Sequence, residues 1–271
     1  MKPPYFKAAV TVLAVLFVSA CLKLDGLAAY SAASSGTMST RVLVDGVPAT
    51  VQRRNIYRDG GEKPLADARV NAKRLEKVQG IYQKYFLALD ALAKKDLTEY
   101  KTQFGGFEKS LAGSGLTTKS EASAITKLLR GIVSLGADAY RQKALTDVIE
   151  TVDPTLQRGM RELKELNANY RTSLNREDAA SQSAMEESIA AGAALDPPQP
   201  PYLARSLRAQ QESTIRSEIK KSEAFDKAVS AIADGHKMLL RDSRNLRGKE
   251  AFEALKPKVK EISDAYKELS K

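Results

Sequence analysis

An all-α fold, built as an elongated antiparallel bundle of long amphipathic helices, is predicted by three observations. Apolar residues recur in alternating steps of three and four along most of the chain beyond residue 63. The composition favours Ala, Leu, Lys, Glu, Arg, Ser and Gln, with no tryptophan and 6% aromatic residues. Turn signals made of Gly and Pro are few and separate segments of about 30 residues, each long enough to reach about 45 Å.

The chain opens with Lys2 and Lys7, then an apolar run from Ala8 to Ala20 that holds no acidic residue. A basic start, a short apolar middle and small residues at its end form a secretory signal. Thirteen apolar residues fall short of the roughly 20 that a spanning helix needs. Residues 21–62 are rich in Gly, Ser, Ala and Thr, as in AAYSAASSGTMST, and read as a flexible tether. Within it, Asp45-Gly46 between apolar flanks suggests a small hairpin, which Pro48 weakens.

The bundle domain is expected over 63–271. Leu75, Val78, Tyr82, Tyr85, Leu89 and Leu92 form one helical stripe, and Leu97, Tyr100, Phe104, Phe107 and Leu111 continue it. Gly105-Gly106 predicts a kink or break. Thr118 with Glu121 forms a capping box that starts a helix carrying Ile125, Leu128, Ile132 and Leu135, able to run on towards Val152. Asp153-Pro154 reads as another start, a capping carboxylate before a proline at the first helical position. Leu156, Met160, Leu163, Leu166, Tyr170 and Leu174 follow, until DPPQPP at 196–201 ends the helix. Ile215, Ile219, Phe225, Val229, Ile232, His236 and Leu239 resume the stripe, Gly248 interrupts it, and Phe252 to Leu269 complete it across Pro257.

Val18-Ser19-Ala20-Cys21 resembles the lipobox of bacterial lipoproteins, and Cys21 is the only cysteine. The resemblance implies cleavage between Ala20 and Cys21, diacylglycerol on the Cys21 thiol and acylation of the new amino group. Several acyl chains anchor far more firmly than one. The residue after the cysteine is Leu22 and not the aspartate that retains family members at the inner membrane. The resemblance therefore implies the outer membrane, facing the periplasm. Lys119-Ser120-Glu121-Ala122 and Asp138-Ala139-Tyr140-Arg141 are similar to stretches of uncharacterised helical envelope lipoproteins, and bring no activity with them.

His236, the only histidine, lies in an apolar stripe, so its side chain points into or along the bundle seam. A general base or a metal ligand is one reading; a core-edge histidine with one hydrogen-bond partner is the expected one. A metal wants several convergent ligands, and only carboxylates remain to supply them. The close carboxylates Glu162 with Glu165, Glu177 with Asp178, and Glu186 with Glu187 sit among Arg158, Arg161 and Lys164, where they provide solubility and i to i+4 pairing. Gly113-Ser114-Gly115 lacks the strand and the Gly-Lys-Ser/Thr ending of a phosphate loop and reads as a turn. No catalytic residue, cofactor or metal is expected.

The net charge is +10. Lys237, Arg241, Arg244 and Arg247 would share one side of a continuous helix, forming a basic strip for anionic lipid or wall polymer; Asp234 and Asp242 partly neutralise it. Nucleic acid is disfavoured for an exported lipoprotein. The expected function is a non-catalytic interaction or scaffold module of the envelope, such as a complex accessory or immunity protein. A binding module for anionic lipid or polysaccharide comes second, and an enzyme using His236 last. Its oligomeric state is not fixed by any of these features.

Overall fold

The computed structural model describes residues 24–57, 62–132, 138–195, 197–198, 200–243 and 249–271. The described residues are helical throughout, with turns and no strand. The first helix, α1, covers 24–38. It is followed by α2 (Val42–Tyr57), α3 (Glu62–Ala93), α4 (Leu97–Leu111), α5 (Lys119–Ile132), α6 (Asp138–Ala193), α7 (Tyr202–Arg241) and α8 (Lys249–Leu269). One continuous core runs through them. All six apolar positions of the α3 stripe are buried, as are Leu156, Met160, Leu163, Tyr170 and Leu174 on α6, and Phe225, Val229 and Ile232 on α7.

The longest elements are α6, with 56 residues, and α7, with 40. They pack antiparallel after the proline-rich turn. Hydrogen bonds pair Asp178 with Arg208, Tyr170 with Glu218, Asn167 with Ser222, and Thr146 with the Ser243 carbonyl. Helix α3 runs antiparallel to both α4 and α6, and α8 packs against α7. Thr118 and Glu121 form the capping box of α5: the Thr118 amide donates to the Glu121 carboxylate at 2.8 Å, and the Glu121 amide to the Thr118 hydroxyl at 3.2 Å.

Three sequence expectations give way. The flexible tether and hairpin expected over 21–62 are replaced, in the described part, by α1 and α2. Leu43, Val47 and Val51 step by four, all are buried, and α2 runs through Pro48 to place them against α3 and α6. The break expected at Gly105-Gly106 is absent. Phe104 and Phe107 flank the pair and are wholly buried, so packing offsets the glycines' cost of about 1 kcal/mol each. The helix start expected at Asp153-Pro154 is an interior point of α6. Val148, Ile149, Val152 and Leu156 are all fully buried across it, and that continuous face outweighs the one donor that proline removes. The signal segment, Ala20 and Cys21 lie outside the described residues, as does Gly248.

Three tyrosines lock neighbouring helices by resting over glycines. Tyr82 of α3 covers Gly159 of α6, Tyr170 of α6 covers Gly46 of α2, and Tyr30 of α1 covers Gly235 of α7. A Cβ at Gly235 would come within 2.5 Å of the Tyr30 ring, so only glycine leaves room for the ring. The phenols of Tyr82 and Tyr30 complete a hydrogen bond across the same joint, and that of Tyr170 reaches a third helix, α7. Tyr82 donates to the Thr155 carbonyl at 2.5 Å, Tyr30 to the Ile232 carbonyl at 2.6 Å, and Tyr170 to Glu218 at 2.6 Å.

Candidate functional site

The stripe of α7 turns His236 into the core, where it is fully buried. Helix α3 supplies Tyr85 from its own stripe, and α6 supplies Asp153. The His236 Nδ1 lies 2.8 Å from Asp153 Oδ1, and its Nε2 lies 2.7 Å from the Tyr85 hydroxyl. The carboxylate can only accept, so Nδ1–H donates to it, and in the neutral ring Nε2 accepts from the phenol. Gln157 donates to the same Asp153 oxygen at 3.0 Å and to the Ala233 carbonyl at 3.1 Å. The aromatic rings of Phe86 and Phe107 close over Tyr85, at centroid distances of 5.2 and 5.3 Å.

Electrostatics follow from this enclosure. Burial pushes the Asp153 carboxyl up, but hydrogen bonds from His236 and Gln157, with the nearby Lys237 charge, outweigh it and hold the group below its ordinary value. Burial drives the Tyr85 phenol well above its ordinary value, so it stays a neutral donor. His236 therefore has two polar partners where the sequence suggested one. Of Tyr85, Asp153 and His236, only the Asp153 side chain keeps any exposure, at 13%. The arrangement ties α3, α6 and α7 together at one level.

A second buried polar cluster corrects the reading of the carboxylate pairs. Glu177 is fully buried, not on a solvated face. Arg53 of α2 donates to both of its oxygens, at 2.6 and 2.9 Å, and Thr50 and Gln211 donate to it as well. Glu162 likewise pairs across helices, with Arg74 of α3. Glu186 and Glu187 are exposed and accept from Gln182 and Ser183 one turn back. Among the described residues no three His, Cys, Asp or Glu side chains converge as a metal site, and no helix is long and apolar enough to cross a membrane. Gly113 and Gly115 adopt left-handed backbone, at φ +71° and +79°, in the turn between α4 and α5.

The basic strip is not built as expected. Helix α7 ends at Arg241 and Asp242 caps it, so the continuous helix that would align four cations stops after two. Lys237 pairs with Asp234 at 3.7 Å and Arg241 with Asp242 at 3.0 Å; Arg244 and Arg247 lie outside the described residues.

The other distinctive surface lies at the far end of the α6–α7 pair. Arg53, in the last turns of α2, meets Glu177 of α6, and the end of α8 lies beside Ala209 to Lys220 of α7. The part of the α6–α7 pair nearest the proline-rich turn is called the arm here. From Ser188 to Ala204 a single residue, Asp196, is charged. Leu195, Tyr202, Leu203 and Leu207 are exposed there, Tyr202 at 70%. Glu186 and Glu187 flank this stretch on α6, and Arg205 flanks it on α7.

No protein-family model, curated protein or solved structure matches this chain.

The arm was invisible to periodicity, because its alanine- and serine-rich stripe has little hydrophobic contrast. The one available signal was the long run with a single charge. Asp153 and Tyr85 were legible as residues but were assigned to a helix cap and to a stripe. Nothing in a linear sequence brings positions 85, 153 and 236 together.

Proposed function

We propose that this protein is a non-catalytic, lipid-anchored module of the bacterial envelope that binds a protein partner through the tip of the α6–α7 arm. The observation that carries this reading is the tip itself: exposed Leu195, Tyr202, Leu203 and Leu207 within 17 residues bearing one charge. An apolar centre containing tyrosine and a single charge, rimmed by charged side chains, has the anatomy of a protein interface. The rim carries Glu186 and Glu187, which anionic headgroups would repel, so a lipid surface suits the tip less well.

The lipobox at Val18 to Cys21 and the non-aspartate Leu22 support anchoring at the outer membrane on its periplasmic face. Enclosure of His236 by Tyr85, Asp153 and aromatic rings supports a structural use of that histidine over a catalytic one. Lys237 and Arg241, the strip's two cations among the described residues, are each paired with an aspartate.

Two measurements test the reading. Cells producing the full chain are labelled with radioactive palmitate, and label is expected on the wild type but not on Cys21→Ala; label on both removes the anchor. A photocrosslinking residue at Tyr202 is expected to give discrete protein adducts that the same residue at exposed Lys227 does not. Identical adduct patterns at both positions would remove the arm as the binding element.

A further inference from the structure

Helix α2 lies in the furrow between α6 and α7. Its Gly46 sits under the Tyr170 ring of α6, whose hydroxyl donates to Glu218 of α7. Its Thr50 and Arg53 donate to Glu177 of α6, which also accepts from Gln211 of α7. These contacts mark the face of each long helix that borders the furrow. On α6 the face of Tyr170 and Glu177 returns at Ala184, Ser188 and Ala191, by steps of seven, four and three. On α7 Leu207 stands one turn from Gln211 and three turns from Glu218, and Leu203 is one turn further towards the tip. The furrow therefore continues along the arm past Tyr57, where α2 ends.

Exposure changes where α2 stops. Glu177 and Ser181 are buried, whereas Ser188 and Ala191 are exposed, as are Leu203 at 61% and Leu207 at 60%. Charge follows the same division. The five furrow positions on the arm are uncharged, while Glu186 and Arg205 fall about half a turn round their helices, on the opposite side.

Neither α8 nor α1 fills this stretch. Helix α8 meets a different face of α7, that of Ala209, Ser213, Arg216 and Lys220, and runs antiparallel to it, since Lys258 pairs with Asp234 while Glu268 lies beside Lys220. Helix α1 reaches the Ile232 carbonyl through Tyr30 and Tyr266 of α8 through Gly36. It too is antiparallel to α7, and begins at the pole away from the arm.

We propose that the furrow of the arm holds an amphipathic α-helix of another protein, seated in line with α2. This rests on the arm being the binding element, and names what it binds. The same two helices already hold a helix in the same furrow one step below, so the occupant's shape is set by continuity. Small side chains on α6 admit close approach, and the two leucines of α7 form the apolar wall. An uncharged lining calls for an uncharged inward face, as α2 itself presents with Gly46, Val47 and Thr50. A helix satisfies its own backbone, whereas an extended segment would lay unpaired N–H and C=O groups against that wall. From Ala184 to Leu195 the furrow is about 16 Å long, room for three turns.

The test places a photocrosslinking residue in the full chain in cells at Ser188, Leu203 and Leu207, and at Arg205 on the opposite side. Discrete adducts with one protein are expected from the first three and not from Arg205. The partner residues captured from Leu203 and Leu207 are expected to lie three or four apart in the partner's sequence. Ser188→Lys, at an exposed position, sets a charge against the occupant's apolar face and is expected to lower the Leu207 adduct about tenfold. Glu186→Lys, on the far side, is expected to leave it unchanged. Adducts from Tyr202 that are matched at Arg205 and absent at Ser188 would overturn the furrow while leaving the arm as the binding element. No adduct from any arm position, Tyr202 included, would overturn both. Partner residues at any other spacing, an adduct holding a second copy of this chain, or no loss with Ser188→Lys would also overturn the helix.

Discussion

Placing one methyl group at Gly159 tests the tyrosine-over-glycine joint between α3 and α6. A Cβ there would fall inside the Tyr82 ring, with Cε2, Cζ and the hydroxyl all closer than any real contact allows. Tyr82 is wholly enclosed and its hydroxyl is held by the Thr155 carbonyl, so the ring cannot swing aside into solvent. Overpacking a core costs roughly 1–3 kcal/mol, and orphaning the buried phenol adds roughly 1–3 kcal/mol. Alanine in place of glycine within a helix returns about 1 kcal/mol. Gly159→Ala should therefore destabilise by about 1–5 kcal/mol. At roughly 2–4 °C for each kcal/mol in a chain of this size, Tm falls by about 2–20 °C. Urea and thermal unfolding followed by circular dichroism at 222 nm would read it. Gly105→Ala, with nothing within 4 Å of the added methyl, should gain about 1 kcal/mol in the same assay. Tyr82→Leu combined with Gly159→Ala should cost less than the sum of the two single changes. If Gly159→Ala is as stable as the wild type, the joint is not close-packed and the reasoning fails.

Other perturbations have equally definite outcomes. Glu177→Ala leaves Arg53, Thr50 and Gln211 without their shared acceptor, and should cost about 2–4 kcal/mol in urea unfolding, below the usual buried-pair figure because Arg53 keeps some access to water. Lys95, just past the end of α3, holds left-handed backbone at φ 68°, so Lys95→Gly should stabilise by up to about 1 kcal/mol; any loss would count against that strain. Hydrogen bonds from Arg158 and from the Thr118 amide hold the Glu121 carboxyl below its ordinary value. Its contribution is therefore full above the ordinary glutamate value of about 4.3 and is lost as pH falls below it. Arg158→Ala should flatten that acid limb of a stability-against-pH curve, and an unchanged limb would refute the assignment. Leu203→Lys with Leu207→Lys should shift stability by no more than about 0.5 kcal/mol, since both side chains face solvent.

Helices with one broad apolar stripe announced themselves in the sequence. The stripe on α3, the capping box of α5, the stop at DPPQPP and the inward position of His236 all follow from spacing and turn chemistry. The helices α1 and α2 did not, for a physical reason. Ser31, Ser34, Ser35 and Thr37 of α1 are buried although polar, and Gly46 and Thr50 of α2 are buried although small. Small side chains allow close approach of neighbouring helices, so burial there follows size and not hydrophobicity. The same low contrast that suggests a linker also suits a helix wedged among others. Asp153 misled through local chemistry: Asp-Pro is a good start signal in isolation, but the residue's nearest need was a histidine 83 positions away. Glu177 misled in the same way, since nothing local distinguishes a carboxylate that meets an arginine of α2 from one that meets water.

The position where α1 begins has a mechanical consequence. Leu24 opens the helix at the pole remote from the arm, only three residues beyond Cys21. From the level of Leu24 to Tyr202, the span along α1 and α7 is about 55 Å at 1.5 Å per residue. A 40-residue flexible leash would let the body wander over a mean distance of about 35 Å in every direction. A lipid on Cys21 would instead hold a strut, its foot within about 10 Å of the bilayer and its tip at one nearly constant height. So anchored, the protein would work as a ruler for what lies at that height, and lengthening α6 and α7 together by two turns each would raise the tip by about 11 Å.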